Sequence, residues 1–342
     1  MSDSLKQDLA RYLTLSGLTR VSVIAPLTQG LSNQNYYVRG LHPSKAVESE
    51  WVLRLNSWAS SQICDRDSEV HAWRSASDAN LAPKMVYISP DKQFYLSEFL
   101  SQQHHRSWSE LISANGAHPV THTQENWPGA EQLLLQLLNG LKQLPPPKNV
   151  ITVDKQWQIY HARLCQMQQQ LLNKDSDIHP NIESWLQQFD CLITQTDAIN
   201  SMLDTLEQCL VNLQFSHRDL NPFNILIGQN KLHCIDFEYA CSSHPLCDLA
   251  SVIASHSLSS KQRHWLIANY LRQQGNLNQH AADAVPAAVD LYWVFAVCWA
   301  LQMAFDNILA FDENSQPISS NEQSSNYLIC AEQYQHLIAS CS

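Results

Sequence analysis

Two short runs of β-branched and aliphatic residues, 225–227 and 232–235, flank Gly228-Gln229-Asn230 in a part of the chain whose surroundings read as helix. Such a run, turn and run predict a β-hairpin. The stretch around it, FSHRDLNPFNILIGQNKLHCIDFEYA, starts at Phe215. Antiparallel pairing about the turn brings Asn224 and Asp236 together at the open end. Asp219 lies in the loop that feeds the first strand. Two carboxylates and an amide oxygen therefore converge on one spot.

This combination suits phosphoryl transfer. One carboxylate orients a substrate hydroxyl and accepts its proton, while another carboxylate and an Asn hold Mg²⁺ against the phosphates of ATP. Asp219 is the expected base, and Asn224 and Asp236 are the expected metal ligands.

The rest of the chain predicts an α+β, two-lobed protein. After an opening helix, residues 21–27, 35–38, 51–55, 85–89 and 94–99 read as strands, with a helix over 65–77. Residues 1–100 form the expected β-rich lobe and residues 101–342 the larger, mostly helical one. Near residue 100 a polar stretch with His104, His105, His118 and His122 lacks periodicity and reads as a loop. Leucines at helical spacing from Leu133 to Leu144 start a helical series that reaches about residue 213. Further helices are expected over 285–311, with Pro286 near its start, and over 327–338. A small-molecule site is expected between the lobes.

Composition narrows the function. The 342 residues carry a formal charge of -11, which disfavours binding nucleic acid through its phosphates. Ten cysteines show neither a CxxC pair nor a compact disulfide framework, and the polar N-terminus lacks an apolar signal core, so a cytoplasmic location is expected. Residues 291–305 carry no formal charge, but they fall short of the ~20 residues that span a bilayer and read as a buried helix.

HRDLNPFNIL and IDFEYA resemble the catalytic loop and metal-binding motif of the protein-kinase-like superfamily. Protein kinases proper fit poorly: G-x-G-x-x-G and A-P-E segments are missing, and Asn221 stands where they usually carry Lys. GLSNQNYYV, WVLRL, SHRDLNPFN, IDFEY and PLCDLA instead resemble the choline/ethanolamine kinase and aminoglycoside phosphotransferase family, over roughly residues 27–250. The resemblance implies a phosphate-covering turn with Gly30, Ser32 and Asn33. It also implies a phosphate-binding Arg54 paired with Glu69, and a lobe-joining segment at Glu98, Phe99 and Leu100 that meets adenine. Asp248 would brace the catalytic loop, and His217 would support it by hydrogen bonding.

The acceptor is expected to be a small hydroxylated molecule. Cationic alcohols such as choline are held by aromatic faces and carboxylates. Glu238 and the helix bearing Tyr292, Trp293 and Trp299 offer these groups. Choline kinases resemble one another in a closely spaced Trp pair, whereas Ala296 stands three before Trp299. Ethanolamine, thiamine, an aminoglycoside or a sugar derivative therefore remain open as acceptors. A catalytically silent relative of the same fold is the other alternative, although such a relative would commonly have lost Asp219, Asn224 or Asp236.

Overall fold

The computed structural model describes residues 3–27, 33–57, 64–102, 107–111, 127–173, 181–313 and 317–341. The expected loop histidines 104, 105, 118 and 122, together with Gly30 and Ser32, lie outside them. The chain divides into two compact units: Met1–Ile112 with Gly129–Asn149 and Phe215–Cys241, and Ser113–Pro128 with Val150–Gln214 and Ser242–Ser342. The expected hairpin thus groups with the β-rich lobe.

In the first unit, helix α1 (Asp3–Leu15) precedes strands β1 (Thr19–Leu27), β2 (Gln34–Leu41) and β3 (Ser49–Leu55). Helix α2 (Arg66–Asp78) leads to β4 (Met85–Ile88) and β5 (Phe94–Glu98), and α3 spans Ala130–Leu141. The five strands form one antiparallel sheet in the order β1-β2-β3-β5-β4. Alternation along β3 sets its two faces. Trp51 and Leu53 join Val38, Leu96 and Phe94 beneath Leu9 and Leu13 of α1. Arg54, one residue on from Leu53, belongs to the opposite face and pairs across the strands with Tyr95. Helix α2 starts where Asp65 caps it, accepting hydrogen bonds from the backbone of Asp67 and Ser68.

The second unit is helical: α4 (Val153–Leu172), α5 (Asn181–Ile193) and α6 (Thr196–Cys209) come first. After the short strand β6 (Gln214–Ser216), the hairpin β7 (Ile225–Gly228) and β8 (Lys231–Cys234), and β9 (Cys241–Ser243), the unit continues with α7 (Leu246–Ser255), α8 (Ser260–Arg272), α9 (Ala281–Glu313) and α10 (Pro317–Cys341).

Helix α9 is apolar because it is a core helix that touches α4, α5, α6, α7 and α10. Its segment Ala281–Leu309 is long and apolar enough to cross a membrane, yet 67% of the most apolar window is buried within the protein. Trp185 of α5 anchors it by donating to the Leu301 carbonyl at 2.7 Å. The helix begins four residues earlier than expected, so Pro286 lies inside it, beyond the first turn. Helices α7 and α8 were not anticipated, although a capping box at Ser259 and Gln262 marks the start of α8. No disulfide joins the described cysteines.

Candidate active site

The hairpin forms as its turn chemistry requires. Gly228 pairs with Lys231, which leaves Gln229 and Asn230 as a two-residue loop with φ of 53° and 58°. Positive φ at both loop positions gives the twist that a tight hairpin needs. Ile225 pairs with Cys234, and the next step of the ladder is the bond from Ile235 N–H to the Asn224 carbonyl, 2.9 Å. Asn224 and Asp236 thus emerge from the open end, as the turn had indicated.

Upstream, Asn221 and Pro222 shape the loop. The Asn221 side-chain oxygen accepts from the Phe223 backbone N–H at 2.9 Å and caps the single 3-10 turn Pro222–Asn224. Its amide nitrogen is then aimed at Asp219 Oδ1, 2.8 Å away. Asn224 Nδ2 donates to Asp219 Oδ2 at 2.7 Å and to its backbone carbonyl at 3.1 Å. Burial raises the Asp219 pKa, the Asn221 and Asn224 hydrogen bonds oppose that rise, and the Glu238 charge adds to it. The sequence reading had noted Asn221 only as a departure from protein kinases; its place directly before Pro222 and two residues after Asp219 was the signal for this turn.

Backbone strain also marks the loop. Arg218 and Asp236 have φ of 73° and 66°, in the left-handed region that side chains other than Gly rarely enter. His217, fully buried, lies with Nε2 3.1 Å from the Ile235 carbonyl, so that nitrogen carries the proton. Phe237 packs between the rings of His217 and Trp73, at 4.7 and 6.0 Å, and ties the motif to α2.

Arg54 leaves β3 beneath α2 and meets three carboxylates. Its Nη2 is 2.9 Å from Glu69 Oε1 and 2.5 Å from Glu238 Oε1, and its Nη1 is 3.3 Å from Asp236 Oδ1. The approach to Glu69 Oε1 is a charge contact without hydrogen-bond alignment. The Asn56 side-chain oxygen accepts from Nε at 3.0 Å, and the Tyr95 ring lies 5.8 Å from the guanidinium carbon. Burial favours the neutral guanidine, but Asp236, Glu69 and Glu238 outweigh it and raise the Arg54 pKa.

A second guanidinium closes a ring. Arg66 Nη1 reaches Glu69 Oε2 at 2.7 Å and Glu238 Oε1 at 3.1 Å, so Arg54, Glu238, Arg66 and Glu69 alternate in charge. Tyr95 donates to Glu69 Oε2 at 3.1 Å, and Asn33 donates a short hydrogen bond to Glu238 Oε1. The Glu238 side chain is only 4% exposed. Expected beside the acceptor, Glu238 instead neutralises two arginines, a placement the sequence could not show because its partners lie 172 and 184 residues away.

Asp236 remains outside this balanced ring. Its pKa is raised, first by burial and then by Glu238, Glu69 and Asp219, with Arg54 opposing. An incompletely matched carboxylate beside an Asn whose amide nitrogen is committed to Asp219 offers hard oxygen donors, which fit Mg²⁺.

The remaining expected residues fall in two places. Glu98 ends β5 and pairs with Lys45 at 2.7 Å. The segment after it is tied to the hairpin by Gln102, which accepts from Ile227 N–H at 3.1 Å and donates to the Ile227 carbonyl at 2.9 Å. Gln102 also donates to the Leu100 carbonyl at 3.2 Å. Beside it runs an open polar groove of about 490 Å³ lined by Arg39, Lys45, Glu50, Glu98 and Leu100 among others. Phe99 meets the edge of Tyr37 at 4.8 Å between ring centres.

Tyr292, Trp293 and Trp299 lie on α9 in the other unit. Trp293 is buried and stacks on Tyr334, whereas Trp299 meets Tyr327 edge-on and, like Tyr292, is half-buried. Asp248 is buried in the first turn of α7, in that same unit.

Protein LicA of Haemophilus influenzae is 26% identical over 248 residues, 71% of this chain and 61% of that protein, so the chain spans about three-fifths of the relative's length. Choline kinase LicA from Streptococcus pneumoniae has a similar fold, with a TM-score of 0.56 and 14% identity over 95% of this chain and 98% of that one. An ethanolamine kinase of Plasmodium vivax gives 0.58 and 15% over 99% and 88%. A model of the phosphotransferase enzyme family, APH, matches residues 23–292, well over half of the sequence, and the chain therefore belongs to that family.

Proposed function

We propose that this protein is an ATP-dependent kinase that transfers the γ-phosphate to the hydroxyl of a small cationic alcohol such as choline, ethanolamine or thiamine. The observation that carries the reading is the arrangement of Asp219: two side-chain amides hold its carboxylate while Asp236 emerges from the neighbouring strand. A carboxylate so oriented can take a proton from a hydroxyl as it attacks phosphorus.

In this reading Asp219 accepts the hydroxyl proton, the acceptor oxygen bonds to the γ-phosphorus, and the bridging oxygen leaves with ADP. Asn224 and Asp236 would hold Mg²⁺, which would offset the charge of the phosphates. Arg54 and Asn33, with Gly30 and Ser32, serve the phosphates, and Glu69 orients Arg54. The backbone at Glu98 and Leu100 meets adenine. Tyr292 and Trp299, half-buried on α9, are the ring faces suited to a cationic group, whereas Trp293 is taken up by its stack on Tyr334. The names of the choline and ethanolamine kinases of similar fold support this acceptor class. Cysteines without a disulfide among the described residues support a cytoplasmic setting.

The test is an ADP-release screen with MgATP over choline, ethanolamine, thiamine, sugars and aminoglycosides. Turnover on a cationic alcohol is expected. Preference for an aminoglycoside or a sugar would contradict the acceptor class, and MgATP binding without turnover on any acceptor would favour a silent relative.

A further inference from the structure

Arg66 is a member of the charge ring to which the proposed reaction gives no task. It is the first residue of α2, is 9% exposed, and bridges Glu69 on its own helix to Glu238 after the hairpin. Arg54 touches the same two carboxylates and Asp236 besides. Two guanidinium groups therefore answer three carboxylates.

This count bears on how Arg54 can work. To meet phosphate oxygens it must give up part of its contact with Glu69 and Glu238, whose side chains are 0% and 4% exposed. A carboxylate buried that deeply is costly without a counter-charge. Arg66 already touches both, through an atom 2.7 Å from one and 3.1 Å from the other. Being permanently charged, it stays a counter-charge whatever Arg54 does.

We infer that Arg66 is a positioning residue for nucleotide binding: it neutralises Glu69 and Glu238 so that Arg54 is free to turn to the phosphates. Without it, the two buried carboxylates hold Arg54 back. The inference rests on the proposed kinase reading for what Arg54 binds. A purely structural Arg66 would instead affect folding stability and leave nucleotide affinity alone.

The test is MgATP binding to the full chain by titration calorimetry, which needs no knowledge of the acceptor. Arg66→Met should weaken binding by about tenfold or more, and Arg66→Lys, which keeps the charge, should recover most of it. In a Glu238→Gln background one of the two carboxylates is already neutral, so Arg66→Met should weaken binding by about threefold at most. Unchanged affinity in Arg66→Met, or an equal loss in both backgrounds, would overturn the inference. If circular dichroism shows that Arg66→Met does not fold, Arg66→Gln takes its place with the same expected and contradicting results, since it keeps a donor without the charge. MgATP binding that depends on Arg66 in a protein that turns over no acceptor would sink the kinase reading and uphold this one. A wild-type chain that fails to bind MgATP would sink both.

Discussion

Asn224 Nδ2 donates at once to Oδ2 and to the backbone carbonyl of Asp219, at 2.7 and 3.1 Å. One amide therefore fixes both the position of the loop and the direction of its carboxylate. Asn224→Leu removes both bonds and the oxygen. Turnover should fall by about 10²-fold or more. Asn224→Asp should also be impaired, because it sets a second carboxylate against Asp219 and takes away the donor. Steady-state rates of the two variants at saturating MgATP check this.

Asp236→Asn should separate activity from stability. In the native protein, burial and the charges of Glu238, Glu69 and Asp219 raise the Asp236 pKa above its unfolded value. The folded protein thus binds a proton there more readily than the unfolded chain does, and the ionised group destabilises the fold as pH rises through the folded pKa. Removing that charge should raise the metal-free Tm at neutral pH while abolishing most Mg²⁺-dependent turnover. A lower Tm would contradict the charge balance described for the ring.

Arg54→Met should be costly even without nucleotide. It leaves Glu69 and Glu238 with Arg66 as their shared guanidinium, so the cost should stay below the ~3–5 kcal/mol that breaking a buried ion pair from one side typically takes. Adding Glu238→Gln to Arg54→Met should recover part of the loss. Urea unfolding of the two variants measures both effects.

The helical unit has a pH signature of its own. His256, fully buried at the end of α7, donates from Nδ1 to the Val252 carbonyl at 3.1 Å, and burial lowers its pKa from 6.5 to about 3. Between these values the unfolded chain takes up a proton that the native protein refuses, so stability falls as pH drops below about 6.5. The loss should approach about 2 kcal/mol by pH 5. His256→Gln should flatten that part of the curve of urea midpoint against pH.

The sequence reading succeeded where structure is set locally. Gly228-Gln229-Asn230 between two aliphatic runs announced the hairpin, and the hairpin register then placed Asn224 and Asp236. The five strands of the first unit were legible for the same reason: β-branched and aromatic runs separated by turn residues. The charge ring was not. It depends on side chains from β3, α2 and the segment after β8, and no local pattern says that Glu238 will find Arg66 across 172 residues. Helix α7 was obscured for another reason: Leu246–Ser255 is buried along nearly its whole length, so it lacks the apolar and polar alternation that reveals a surface helix.

The account stands most directly on Asp219. Asp219→Asn keeps the shape of the side chain and removes its ability to accept a proton, so MgATP binding should persist by titration calorimetry. ADP release with the best acceptor should fall by about 10²–10⁴-fold. Turnover essentially unchanged in this variant, with nucleotide binding intact, would contradict Asp219 as the base.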